Sequence, residues 1–204
     1  MESNKDWTGN SSSVYIGIGA SNHSDKERAN MDYYATSSQA IDKLATKFDI
    51  PHNVWEPCCG EGHLSKRLIE LGHNVFSSDI VDRGYGSVLD FLSLEAYEHR
   101  GEFDCILTNP PYKYNAECII RALELLPDGG YACFFLKTTA LEGKKRYEQI
   151  YRNTPPTMVL QFVERILCAK NGDFEEAKRV GSAVSYAWFV WKKGFKGKTI
   201  VDWI

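Results

Sequence analysis

From residue 37 onward, apolar runs of strand character alternate with runs whose apolar positions recur every three or four residues, and this alternation leaves few folds open to the chain. Ala40, Ile41, Leu44, Ala45 and Phe48 mark one face of a helix that begins at Ser37 or Ser38 and stops before Pro51. Val54 and Trp55 open a short buried strand, Gly60 and Gly62 interrupt the chain, and Leu64, Leu68 and Leu71 define a second helix closed by Gly72. Strands are expected at 74–80, 87–90, 103–108, 130–137 and 157–163, with helices at 92–99, 116–126 and 141–151 between them. Helical crossovers of this length join parallel neighbours, so the expected core is a mostly parallel sheet covered on both faces. The last strong strand pattern, 185–191, follows an irregular polar segment instead of a helix, which implies antiparallel pairing.

The chain has 204 residues, 43% of them hydrophobic, enough for one well-filled core; residues 31–204 are read as a single domain. Residues 1–30 are polar and read as a flexible arm. Gly17-Ile18-Gly19-Ala20 within it imitates a dinucleotide fingerprint, but the third glycine and the helix pattern are missing. No apolar run has the length of a membrane helix and the start lacks a secretory core, so a cytoplasmic protein without membrane association is expected. Cys58, Cys59, Cys105, Cys118, Cys133 and Cys168 show no paired ligand spacing; they are read as reduced thiols, with no metal. The net charge of −3 does not advertise a polyanion partner, so any such contact must be local. Candidates are Lys144, Lys145, Arg146, Arg165, Lys170, Lys178 and Arg179.

In open α/β sheets ligands bind beyond the carboxyl ends of the strands. Four such ends are unusual: Glu56-Pro57-Cys58-Cys59-Gly60-Glu61-Gly62, Ser78-Asp79, Asp90-Phe91, and Thr108-Asn109-Pro110-Pro111-Tyr112. The first lets backbone and a helix N-terminus approach a ligand closely. Asp79 is placed to accept ribose hydroxyls, and Asp90 with Phe91 to hold an adenine. In the last, two prolines fix their own φ angles and keep the preceding residues out of helix, which presents carbonyl oxygens rigidly. The Asn109 side-chain oxygen and the Pro110 carbonyl can then accept both hydrogens of a planar amino group and free its lone pair for attack. Tyr112 offers a flat face for a base.

The first and last of these segments resemble motifs I and IV of the amino methyltransferases. Asp32-Tyr33-Tyr34-Ala35-Thr36 is similar to the cofactor motif that adenine methyltransferases place upstream. Gly19-Ala20-Ser21-Asn22-His23-Ser24 and Ser185-Tyr186-Ala187-Trp188-Phe189-Val190-Trp191 resemble phage and prophage adenine-methyltransferase-like proteins. The resemblance implies a Rossmann-like class I methyltransferase fold of seven strands and S-adenosylmethionine as cofactor. It implies further that Tyr34 and Thr36 touch the cofactor's methionine part, and that Glu56, Pro57, Cys58, Gly60 and Gly62 line its centre. Asp79 would hold the ribose, Asp90 and Phe91 the adenine, and Asn109, Pro110, Pro111 and Tyr112 the target. The chain departs from the family at Ser37-Ser38, where a proline is common, at Cys59, and in having no separate target-recognition domain.

The implied reaction is direct methyl transfer to an exocyclic amino nitrogen, adenine N6 of a nucleic acid, with DNA preferred to RNA. Residues 166–181 supply Lys170, Phe174 and Arg179 as candidate contacts to a displaced base and its phosphates. The same amine chemistry serves guanine N2, cytosine N4 and the glutamine amide. A non-catalytic cofactor-binding module is a further alternative, and a nicotinamide-dependent oxidoreductase is disfavoured by the glycine spacing.

Overall fold

The computed structural model describes residues 33–180 and 184–204. Strands β1 (Tyr34–Thr36), β2 (Asn53–Glu56), β3 (Asn74–Asp79), β4 (Ser87–Val88), β5 (Cys105–Thr108), β6 (Tyr131–Lys137), β7 (Met158–Gln161), β8 (Cys168–Lys170), β9 (Tyr186–Lys192) and β10 (Ile200–Trp203) follow one another along the chain. The α-helices are α1 (Gln39–Ala45), α2 (His63–Glu70), α3 (Asn115–Leu125), α4 (Lys144–Arg146) and α5 (Phe174–Val180). Eight strands form one sheet in the order β10-β7-β9-β6-β5-β2-β3-β4. All neighbours are parallel except β9, which runs antiparallel to both β6 and β7, as the missing crossover requires.

Period-two alternation assigns the side chains to two cores. Val54, Leu107, Phe135, Trp188 and Val190 face α1 and α2, while Trp55, Ile106, Phe134, Phe189 and Trp191 face α3. The buried indoles keep their N–H groups satisfied: Trp55 donates to Ser78 Oγ at 2.9 Å, Trp188 to the Ala40 carbonyl at 2.8 Å and Trp191 to the Thr154 carbonyl at 3.0 Å.

Several sequence expectations are corrected. Among the described residues the main sheet has eight strands, not seven; β10 adds an edge beyond β7. The helix expected at 92–99 is a 3-10 turn over Glu95–His99, and the one expected at 141–151 is the short α4 running into a π-helical Tyr147–Tyr151. The segment before β9 is not irregular where it is described: β8 pairs antiparallel with β1, and α5 follows the turn at Asn171 and Gly172. Both turn residues have positive φ, +53° and +76°, the left-handed pair that Asn-Gly adopts most readily. The expected arm at 1–30, the Gly17-Ile18-Gly19-Ala20 segment, Gly19 to Ser24 and Asp32 lie outside the described residues.

Candidate active site

Four parallel strands, β3, β2, β5 and β6, end on one edge of the sheet, and the segments leaving them lie along that edge. Between β2 and α2 the backbone turns through Gly60 at φ +55° and Gly62 at φ +78°, conformations that glycine adopts without strain. A Cβ at Gly60 would clash with the Tyr33 ring, and one at Gly62 with the Tyr85 ring, so aromatic side chains lie directly on this turn. Arg83 lies over the Tyr33 ring at 4.5 Å and Lys66 over the Tyr85 ring at 4.8 Å. Tyr33 also accepts a hydrogen bond from the Glu61 N–H at 3.2 Å, and burial pushes its hydroxyl up to about 12. Tyr33 lies in the upstream segment that the sequence singles out, with no role assigned to it there; Arg83 and Tyr85 do not stand out, the glycines flanking Tyr85 being their only signal.

Asp79, at the end of β3, accepts from the Gly60 N–H through Oδ2 at 2.9 Å and from the Val81 N–H through Oδ1 at 3.0 Å. Each carboxylate oxygen keeps a further lone pair for a ligand hydroxyl. The next residue, Ile80, is 62% exposed and presents an apolar surface beside it. Asp90 is exposed and caps its own turn by accepting from the Leu92 N–H at 2.8 Å. Phe91 is placed differently from the sequence expectation. At 3% exposure its ring packs edge-on to Trp55 in the core, because the apolar face after β4 is turned inward, and it offers no face to a ligand.

Glu56 is fully buried behind the glycine turn and accepts a hydrogen bond from Ser65 Oγ, which lies 2.6 Å from Ser77 Oγ. Burial raises its carboxyl to about 8, with Ser65 opposing the shift. The Cys58 thiol is held well above its ordinary value by its hydrogen bond to Cys118 and by burial, and Cys59 is pushed to about 12 by burial. Both are protonated, unreactive thiols at neutral pH. Among the described residues no group of three or more His, Cys, Asp and Glu side chains is arranged to hold a metal ion.

The Asn109-Pro110-Pro111-Tyr112 loop leaves β5 at the same edge. Asn109 Nδ2 donates to Thr36 Oγ1 at 2.9 Å and to the Tyr34 carbonyl at 3.3 Å. A carbonyl oxygen only accepts, so the amide must present its nitrogen to β1 and its oxygen away from it. That oxygen, Asn109 Oδ1, is buried and has no hydrogen-bond partner among the described residues. A buried acceptor without a donor costs about 1–3 kcal/mol, which an incoming N–H would relieve. Thr36, 3% exposed, thus serves Asn109, and the Tyr34 carbonyl does the same. Tyr112 stands 5.9 Å from the Tyr34 ring, with Lys137 Nζ 4.2 Å over its own ring and its hydroxyl 2.8 Å from that of Tyr186.

The substrate-side candidates are dispersed. Lys170 is exposed on β8 opposite Tyr34. Phe174 packs against His63 at 5.2 Å, beside the glycine turn and not beside Asn109. Arg179 is paired with Glu176 at 2.7 Å and Lys178 with Glu175 at 2.8 Å, so α5 neutralises its own cations.

Compared by sequence, the chain matches no family model and no curated protein. Solved structures match in fold. A candidate class I S-adenosylmethionine-dependent methyltransferase from Listeria monocytogenes is 16% identical, with a TM-score of 0.50 over 82% of this chain and 62% of that one. Burkholderia thailandensis 1,6-didemethyltoxoflavin-N1-methyltransferase, solved with 1,6-didemethyltoxoflavin and S-adenosylhomocysteine, is 15% identical, with a TM-score of 0.51 over 76% of each chain. The M protein of the type I restriction enzyme EcoKI is 14% identical, with a TM-score of 0.51 over 80% of this chain and 44% of its own. The chain thus spans less than two thirds of the Listeria and EcoKI chains. What is shared at these identities is the fold: this is the Rossmann-like α/β fold of the class I methyltransferases.

Proposed function

We propose that this chain is an S-adenosylmethionine-dependent methyltransferase acting on an exocyclic amino nitrogen, adenine N6 in DNA. The observation that carries the reading is the buried Asn109 Oδ1, without a partner among the described residues and held facing away from β1 at the end of β5. The positive-φ turn at Gly60 and Gly62, the spare lone pairs of Asp79 and the exposed Ile80 suit an adenosine-bearing cofactor. Asp79 would take the ribose hydroxyls, Ile80 and Asp90 the adenine, and the glycine turn with Glu56 behind it the methionine portion. When bound, the cofactor supplies an electrophilic methyl group on a good leaving group.

Asn109 Oδ1 and the Pro110 carbonyl then accept the two amino hydrogens and stabilise the positive charge that develops on the nitrogen. Tyr112 supports the plane of the target from below. Stacking there requires the Lys137 ammonium or the Tyr34 ring to shift from its place beside the Tyr112 ring. Asn109→Ala is expected to lower transfer by at least about a hundred-fold. Calorimetric affinity for S-adenosylmethionine should be unchanged, and retained turnover would contradict the assignment.

For the polymer, two features favour nucleic acid. One structural neighbour is the M protein of a type I restriction enzyme. The segments after β5 and β6 also interleave exposed cations with exposed aromatic and apolar side chains: Lys113 beside Tyr114, then Leu141, Lys144, Lys145 and Tyr147. This combination suits phosphates flanked by unstacked bases. With α5 internally paired, these lysines and Lys170 replace Arg179 as the phosphate-binding groups. Replacing Lys144 and Lys145 by Ala should reduce the slope of log affinity against log salt by about 1 for each lysine that meets a phosphate. Labelled cofactor offered separately to DNA, RNA and protein tests the polymer; label in protein alone would move the target to the glutamine amide.

A further inference from the structure

The loop leaving β3 folds back over the glycine turn through glycines of its own. Asp82 Oδ1 accepts from the Gly84 N–H at 2.9 Å, and Gly84 and Gly86 take φ of +77° and +74°, conformations open to glycine. Tyr85 is thereby laid on Gly62, and the Arg83 guanidinium over the Tyr33 ring at 4.5 Å. Tyr33 lies on Gly60, and its hydroxyl accepts from the Glu61 N–H. One aromatic ring therefore separates Arg83 from the backbone of the turn.

Three basic side chains near this turn differ in what they hold. Lys66 Nζ donates to the Glu61 carbonyl at 2.8 Å. His63 stands between the Tyr33 hydroxyl, 3.5 Å from Nδ1, and the Glu61 carboxylate, 4.0 Å from Nε2. Arg83 differs: its Nε is buried and has no hydrogen-bond partner among the described residues. A guanidinium offers only donors, and its planar fork matches a carboxylate. A buried donor left without an acceptor is costly, and an incoming anion would relieve it. S-adenosylmethionine brings such an anion, because its methionine portion ends in a carboxylate. Tyr34 and Thr36, which the family resemblance sets against that portion, are engaged with Asn109 through the Tyr34 carbonyl and Thr36 Oγ1. We infer that Arg83 receives the carboxylate of the cofactor's methionine portion, at the place where the Tyr33 hydroxyl meets the Glu61 N–H. The inference rests on the proposed cofactor. At 3.2 Å the bond from the Glu61 N–H to Tyr33 is long, and a carboxylate oxygen is the stronger acceptor for that N–H.

Calorimetry on the full chain tests this with two ligands that share the adenosine and its sulfur. S-adenosylhomocysteine carries the amino-acid end, and 5′-methylthioadenosine lacks it. Arg83→Met and Arg83→Gln each remove the charge and keep a long side chain; thermal unfolding establishes that they are folded. Both variants are expected to bind S-adenosylhomocysteine about 10- to 100-fold more weakly than the parent, the loss of a charge-assisted hydrogen bond. Their affinity for 5′-methylthioadenosine is expected to stay within about two-fold of the parent's. Equal weakening for both ligands would make Arg83 a support for the Tyr33 ring and overturn the inference, as would variants that weaken neither. A parent that binds neither ligand overturns the proposed cofactor and this inference with it. A parent that binds both leaves the cofactor standing whichever way Arg83 falls.

Discussion

Asn109 and Glu56 show how differently two polar side chains at strand ends reveal themselves. Proline-proline after Asn109 dictates local backbone, so that turn was legible from four letters; the orientation of the amide was not, because it depends on Thr36 and Tyr34, far away in sequence. Glu56 reads as a cofactor contact, but its burial and its bond with Ser65 add a stability role that no local pattern encodes. Its carboxyl titrates at about 8 in the folded protein, against an ordinary 4.5. Over that interval the folded state holds a proton that the unfolded chain has released. Stability therefore falls as pH rises from 4.5 to about 8, by up to a few kcal/mol. Chemical denaturation across this range should show Glu56→Gln with a flatter profile, overtaking the parent at the alkaline end. Parallel profiles would mean that Glu56 is not the group responsible.

At the scale of elements, the strands and helices that bury a whole face were legible, since β2, β5, β6, β9, α1 and α2 carry clear periodicity. Those that do not bury a face were misread or missed. β1 and β8 are three residues each and are held mainly by pairing with one another, and β10 exposes Ile200, Val201 and Trp203 at the sheet edge. The glycine turn was legible as a turn, but its aromatic cover was not. Two glycines separate the contributions. Gly72 has φ +92° with open space around its missing Cβ, whereas Gly62 has φ +78° with the Tyr85 ring filling that space. Gly72→Ala is expected to cost about 1 kcal/mol, from backbone strain alone. Gly62→Ala should cost about 1–3 kcal/mol more, because an aromatic ring must move, and should also weaken cofactor binding. Thermal unfolding and calorimetry of the two variants measure the difference; equal destabilisation would remove Tyr85 from the account of this turn.

At the scale of the whole molecule, the fold class followed from the alternation of elements and the missing crossover before β9. The polymer substrate did not, because cations separated in sequence are sorted into paired and unpaired only when the helices take their places. Lys178 and Arg179 looked like a basic segment and are neutralised by Glu175 and Glu176 one turn away. Lys144 and Lys145 stood among the same candidates and Lys113 did not; all three are exposed, with Tyr114 and Tyr147 exposed near them in sequence. The short β1–β8 pairing has a consequence in time. It joins residues 34–36 to residues 168–170, and pairings so distant in sequence close late in folding. Asn109 takes its orientation from that pairing, so a partly folded chain can already contain most of its sheet and still lack the acceptor geometry. Recovery of methyl transfer after dilution from denaturant should then lag behind recovery of the far-ultraviolet circular dichroism signal. Synchronous recovery would show that the pairing forms with the sheet. The delay would keep a growing or damaged chain from modifying its target until both strands are in place.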